Sequence, residues 1–318
     1  KLVAAEAFSA APENGAWTNY PGNLKLTGDK AFCQGINNLV LHSFTHQPWN
    51  NIRPGMTMGP WGAHLERTNT WWNHGAKEWI TYLSRCQYLL QQGHFAGDVL
   101  FFVGESIDSN KVARSKSVKQ NGYDYDLCST SALLNDTKVE NNQIYFNNGI
   151  GYRLLVLPDS RYLTTEILQK IKKLVADGAI VAGPPPQTSP SLRNYPACDT
   201  TIKKLVTEVW GPCDGETLVQ NSFGKGKVFW GKKLTDVLEN INVTPDFSYT
   251  GKEKGVKLDF THRKTKDADI YFVVNETRHF VRTTATMRVD NKYPEIWHPE
   301  SGRVETAPLY QINENTVS

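Results

Sequence analysis

Residues 154–183 read LLVLPDSRYLTTEILQKIKKLVADGAIVAG. Leu154 to Leu157 is a short apolar run, stopped by Pro158-Asp159. Thr164 can N-cap a helix whose apolar face is Ile167, Leu168, Ile171, Leu174 and Val175, in three- and four-residue steps. Gly178 closes that helix, and Ala179 to Ala182 reads as a second strand before the breaker Pro184-Pro185-Pro186. Strand, amphipathic helix, strand is a βαβ unit, and its crossover requires parallel strands.

The same alternation extends both ways. Upstream, Val99 to Val103 is a strand; downstream come a helix at Ile202 to Trp210, a strand at Val228 to Trp230 and a helix at Thr235 to Ile241. Strands joined by helices predict a doubly wound, parallel α/β domain over residues 97–245. Before it, Leu2 to Phe8 reads as a buried strand interrupted by Glu6, Ser9 to Gly28 as a long loop, and Ile36 to Phe44 as a second apolar run. The stretch Asn50 to Gly62 is full of Gly, Pro and Met, and loops of that length in a compact domain are usually functional. A helix follows from Trp72, with Ala76, Trp79, Ile80, Leu83, Cys86 and Leu90 on its stripe and Gly93 as its stop. After residue 246, Asp269 to Asn275 and Val281 to Val289 alternate like strands, and Pro299 to Gly302 is a turn. Residues 246–318 therefore read as the start of an antiparallel β domain, with too few strands for an independent sandwich.

The chain has 318 residues, of which 39% are hydrophobic and 21% charged, with a net charge of +3. That balance argues against a nucleic-acid partner, which would need a concentrated basic face. The lysines that cluster (Lys170, Lys172, Lys173 and Lys225, Lys227, Lys232, Lys233) lie beside apolar patterns and read as solvated faces. No apolar run reaches the roughly 20 residues of a membrane span. Cys33, Cys86, Cys128, Cys198 and Cys213 show neither zinc spacing nor a disulfide framework.

Glu6 is the sharpest candidate for chemistry. A carboxylate ending an apolar strand before a long loop stands where (β/α)8 barrels place catalytic groups, and apolar surroundings there would tune its proton affinity; the same position also suits an ordinary salt bridge. His42 and His46 lie four apart beside Trp49, a metal-ligand spacing on a helix. The preceding run Ile36 to Leu41 has no helical stripe, so hydrogen bonding to a polar substrate or to each other is the better reading. Trp49, Trp61, Trp71 and Trp72 crowd one stretch and can serve as sugar platforms or as core. Glu66 and Arg67 can offer an acceptor and a donor to sugar hydroxyls, or pair with each other. Glu105 also ends a strand, but on the sheet of the other domain, the region that holds Asp124 and Asp126 as well. Gly224-Lys225-Gly226-Lys227 lacks phosphate-loop spacing and reads as a turn into a strand; GxSxG, HExxH and GxGxxG are absent.

Several blocks are long and unusual in composition: Val3-Ala4-Ala5-Glu6-Ala7-Phe8, His46-Gln47-Pro48-Trp49, Pro54-Gly55-Met56-Thr57-Met58-Gly59-Pro60-Trp61-Gly62 and Arg67-Thr68-Asn69-Thr70-Trp71-Trp72. With Cys86 to Gly93, Val156 to Ser160 and Asp267 to Phe272, they make the chain resemble glycoside hydrolase family 106, the α-L-rhamnosidases. The resemblance implies an inverting hydrolase on a (β/α)8 barrel, assisted by calcium whose ligands it does not assign, acting on terminal α-L-rhamnose of glycans. It matches Glu6 to the general base. Glu66 departs from the Asp expected there. The layout is also similar to the barrel β-galactosidases: last two barrel strands, a long helix, a doubly wound accessory domain, then a β-sandwich. On that layout residues 1–96 hold only barrel strands seven and eight, and the partner acid lies in a preceding part of the same polypeptide. Glu13, in a Pro-Glu-Asn-Gly turn, is not cast as that acid. The resemblance further implies a bacterial periplasmic or secreted enzyme, and a 318-residue chain that is inactive alone. A β-galactosidase-like hydrolase and a non-catalytic carbohydrate-binding fragment are the alternatives.

Overall fold

The computed structural model describes residues 2–42, 44–62, 65, 71, 73–105, 113–251, 255–277 and 279–318, without the side chains of 113–116. It is a mixed α/β structure with seven helices among the described residues. Two compact units are present: residues 1–94 with 249–318, and residues 95–248.

The first unit opens with β1 (Ala4–Ala7), α1 (Pro21–Cys33), β2 (Asn38–Leu41) and α2 (Ala76–Leu90), and β3 (His94–Phe95) leads into the second. β1 and β2 are parallel, in register from Ala4↔Asn38 to Ala7↔Leu41. α1 corrects the expectation of a loop from Ser9 to Gly28. Pro21 starts the helix, where its missing N–H costs nothing, and the Asn23 side chain accepts from Tyr20 N at 2.9 Å. α2 begins at Ala76, not Trp72, because Gly75 stands at φ 126°, outside helical space. Trp72 lies outside the described residues. Asp29, buried in α1, receives the Tyr82 hydroxyl of α2 at 2.5 Å and Lys25 Nζ at 2.7 Å. α2 is also tied to β2: Gln87 Oε1 accepts from Leu39 N at 2.6 Å, and Asn37 Nδ2 donates to Leu90 O at 3.1 Å.

The second unit contains β4 (Val99–Phe102), α3 (Ala113–Gln120), β5 (Tyr125–Cys128), α4 (Thr130–Asp136), β6 (Thr137–Glu140), β7 (Gln143–Phe146) and β8 (Gly151–Tyr152). It continues with β9 (Leu154–Val156), α5 (Thr165–Asp177), β10 (Ile180–Ala182), α6 (Ala197–Trp210), β11 (Gln220–Phe223), β12 (Gly226–Phe229) and α7 (Leu234–Asn240). Its main sheet runs β11-β12-β10-β9-β4-β5, parallel except for the edge hairpin β11–β12. The period of two along each strand explains the helix layers. Leu100, Phe102 and Leu155 pack with α5 and α6, whereas Val99, Phe101, Leu154 and Val156 pack with Val118 of α3 and with Val237 and Leu238 of α7. Both sheet faces are covered, as the strand–helix alternation requires. α5 has the expected ends: Thr164 Oγ1 accepts from Ile167 N, and Gly178 stands at φ 123°.

Glu105 is occupied in this unit. Its carboxylate accepts from Thr164 N at 2.6 Å and from Thr164 Oγ1 at 2.7 Å, at the positive end of the α5 dipole. A carboxylate so engaged is a cap. Glu105→Gln is therefore expected to leave turnover of the full-length polypeptide within about twofold, measured as kcat; a loss beyond tenfold would contradict this.

The chain returns to the first unit through β13 (Phe247–Thr250). There follow β14 (Leu258–Lys264), β15 (Asp269–Asn275), β16 (Thr284–Met287), β17 (Glu295–Trp297), β18 (Val304–Thr306), β19 (Ile312–Asn313) and β20 (Thr316–Val317). β14 and β15 are antiparallel, from Leu258↔Asn275 to Lys264↔Asp269, and pack on α1: Phe272 meets Phe32 edge-on at 5.6 Å, and Lys30 pairs with Glu276 at 3.0 Å. Arg263 donates to Gln92 O and Gly93 O at 2.6 and 2.8 Å. A Cβ on Gly93 would stand 2.2 Å from Lys264 O, so only glycine fits.

Asp269 is half-buried, with its side chain only 5% exposed, and accepts from His262 Nε2 at 2.9 Å and Lys292 Nζ at 2.5 Å. Burial pushes its carboxyl up, but the His262 and Lys292 hydrogen bonds outweigh that and hold it at about 2. A carboxyl depressed below its unfolded value of about 3.9 stabilises the fold above about pH 4 and loses that contribution as pH falls toward 2. The loss is on the order of 2 kcal/mol. The thermal midpoint is expected to fall over that window, and to fall less in Lys292→Met.

Candidate active site

The β1–β2 ladder has two unlike faces. Ala5 and Ala7 of β1, with Leu39 and Leu41 of β2, turn toward the helices, where Leu39 and Leu41 pack against Leu24, Phe32, Trp79, Leu83 and Leu90. Ala4, Glu6 and Val40 lie on the other face and are exposed, with Glu6 and Val40 paired in register. Glu6 is next to last in its strand, so its carboxylate stands at the C-terminal edge of the sheet. The burial expected around it is not provided by these residues.

Immediately after β1 the chain kinks. Phe8 adopts φ 63°, a left-handed conformation costing a bulky residue about 1–2 kcal/mol. Its ring offsets that by packing on Trp79 at 5.8 Å. The kink lets Ser9 Oγ reach back and donate to Glu6 Oε1 at 2.5 Å. Neither the kink nor the Ser9 contact has a signature in sequence.

Two loops lie against each other beyond the strand ends. Gly62 N donates to Ala10 O and Ala16 N to Pro60 O, both at 2.8 Å. Gly15 is wedged between them, and a Cβ there would stand 2.7 Å from Pro60 O. His42, half-buried, follows β2, and its N–H donates to Ala7 O at 3.4 Å. His46 is exposed, as are Trp49 (55%) and Trp61 (53%) together with Phe44, Ile52, Met56 and Met58. Both loops leave the C-terminal ends of β1 and β2, the end at which Glu6 lies, and the second carries these exposed aromatic and apolar side chains. Trp71 is half-buried and packs against the α2 core, whereas Glu66 and Arg67 lie outside the described residues. Glu13 is exposed in a turn after Ala11.

None of the five cysteines forms a disulfide, and burial pushes the thiols of Cys86 and Cys128 up to about 12, so both stay protonated. Among the described residues no group of three or more His, Cys, Asp or Glu side chains could hold a metal ion, and no helix is long and apolar enough to cross a membrane.

Comparison with known proteins agrees with this architecture. Residues 1–312 match the model of a family described as alpha-L-rhamnosidase, glycoside hydrolase family 106. A Formosa agariphila protein named "Putative beta-glucuronidase" is 37% identical over 310 residues, covering 98% of this chain and 25% of that protein. The solved rhamnosidase from Novosphingobium sp. PP1Y superposes with a TM-score of 0.90 at 31% identity, over 99% of this chain and 30% of that one. A GH42 β-galactosidase, Gan42B of G. stearothermophilus, shares the fold at 11% identity and a TM-score of 0.57, over 97% of this chain and 52% of that one. The chain thus spans only 25–30% of the two relatives above 30% identity.

Proposed function

Because the chain belongs to the α-L-rhamnosidase family, glycoside hydrolase family 106, we propose that β1 and β2 are the last two strands of a (β/α)8 barrel that hydrolyses terminal α-L-rhamnosides with inversion. Glu6 is the general base of that reaction. The observation that carries this is the placement of Glu6: on the exposed face of a parallel βαβα unit, at the strands' C-terminal end, from which the loop bearing Trp49 and Trp61 also departs. The exposed Ala4, Glu6 and Val40 face suits a barrel interior that the rest of the polypeptide would close.

Inversion needs a carboxylate that takes a proton from water as that water attacks the anomeric carbon. It also needs a carboxylic acid, about 6.5–9.5 Å away, that protonates the departing oxygen. Glu6 supplies the first, with the Ser9 hydroxyl fixing one oxygen so that the other can face the water. The acid comes from the remainder of the polypeptide, so the 318-residue chain alone is expected to have no turnover. His42, His46, Trp49 and Trp61 form the sugar-binding mouth, with Glu66, Arg67 and Trp71 as further contacts.

Calcium dependence belongs to the proposal as a property of the whole polypeptide; chelation followed by readdition of calcium tests it. The described residues hold no group of three or more His, Cys, Asp or Glu side chains for the ion, and no step here runs through it. A bacterial periplasmic or secreted location is likewise proposed, to be read from cell fractionation.

The name of the Formosa relative supports a second reading, a β-glucuronide substrate on the same scaffold. Nitrophenyl α-L-rhamnoside, β-D-glucuronide and β-D-galactoside, offered to the full-length polypeptide, separate the readings. The proposal expects release from the rhamnoside alone; preference for either other glycoside would overturn it, and binding without cleavage would make this a carbohydrate-binding module.

A further inference from the structure

We infer that Gly15 is a positioning residue for the reaction: its missing side chain lets the loop after β1 clasp both peptide units that flank Trp61, and so sets where that ring stands. The inference rests on reading Trp61 as a sugar contact. Ala16 N donates to Pro60 O on one side of Trp61, and Gly62 N donates to Ala10 O on the other, both at 2.8 Å. Ala10 closely follows Glu6 in the chain, so the loop that grips Trp61 directly continues the strand that carries the proposed base. Gly15 is buried inside this clasp. Its N–H donates to Ala11 O at 2.7 Å, and its carbonyl accepts from Thr18 N at 3.0 Å and from Thr18 Oγ1 at 2.6 Å.

A Cβ on Gly15 would stand 2.7 Å from Pro60 O and 3.2 Å from both Ala11 O and Gly62 O. All three are backbone atoms, which cannot swing aside as the tip of a long side chain can. Carbon and carbonyl oxygen ordinarily stand about 3.3–3.6 Å apart, so a methyl group there drives Pro60 O back by roughly half an ångström or more. Pro60 O belongs to the peptide that bears the Trp61 nitrogen, so the push reaches Trp61 whatever else holds its loop. Ala16 and Trp17 stand at φ 46° and 60°, but Gly15 is not among the left-handed residues of this turn. Glycine is therefore required here by contact with the Trp61 segment, not by its own backbone. An aromatic platform displaced relative to Glu6 holds the sugar off the line of attack, and displacements near an ångström cost on the order of 10² in rate.

A double-mutant cycle in the full-length polypeptide tests this, on whichever aryl glycoside the wild type cleaves. Gly15→Ala should lower kcat/KM about tenfold, and Trp61→Ala by at least as much. The double variant should match Trp61→Ala within about twofold, because the added methyl acts through a ring that is gone. Losses that multiply would mark a merely structural role and overturn the inference. So would full activity in Gly15→Ala beside a clear loss in Trp61→Ala; both results leave the functional reading intact. Hydrogen exchange in the wild type tests the clasp without any substitution. A saturating concentration of the sugar it releases should raise protection of the Ala16 and Gly62 amides several-fold, since a ligand on Trp61 disfavours the open clasp. Unchanged protection of both amides would also overturn the inference. Full activity in Trp61→Ala would remove Trp61 from the mouth and the inference with it, whereas a wild type that cleaves no glycoside would remove the functional reading as well.

Discussion

Glu6→Gln in the full-length polypeptide is expected to lower kcat on an aryl α-L-rhamnoside by 10²–10⁴, the range of a lost general base. Gln has nearly the shape of Glu and still offers Ser9 an oxygen to bond. Glu6 lies on the exposed face of β1, away from the packed core, so the thermal midpoint should not move. What the variant lacks is only the capacity to take a proton from water. KM should change little, because the base contributes mainly once the water begins to attack. Turnover within threefold of wild type would remove Glu6 from the mechanism.

The largest effect on stability is expected from Trp210→Ala in the second unit. Trp210 is the largest side chain with almost no exposure, packed in α6 among the residues that cover one face of the parallel sheet. Its Nε1 also donates to Gly183 O at 3.1 Å, just beyond β10. Trp-to-Ala changes in a core cost about 3–5 kcal/mol, and the abandoned carbonyl adds to that. For a unit of this size such a loss lowers the thermal midpoint by about 10 °C. Circular dichroism on the 318-residue chain measures it, and a drop under 3 °C would mean that the site collapses around the cavity.

How much of this could be read from residue order differs sharply by element. α5 was legible throughout, because Thr164, the stripe from Ile167 to Val175 and Gly178 are each local signals that agree. α1 was not. Its buried positions Leu24, Gly28 and Phe32 keep a four-residue step, but the middle one is glycine, and buried Asp29 reads as polar until Tyr82 arrives from α2. The small sheet β6–β8 was also missed; it is built from short hairpins inside what reads as connection. At the site, Glu6 was visible because a charge ending an apolar run is conspicuous. Ser9 and Gly15 were not, since one depends on the left-handed Phe8 and the other on the close approach of two irregular loops.

The role of Glu6 is tested most directly by chemical rescue. Glu6→Ala in the full-length polypeptide removes the base and opens space for a small anion beside the anomeric carbon. Azide attacks without giving up a proton, so it needs no base. If Glu6 is the general base of an inverting hydrolase, azide restores turnover of an aryl α-L-rhamnoside, and the product is rhamnosyl azide of inverted configuration. Failure of azide to restore any turnover, or a product of retained configuration, would contradict it.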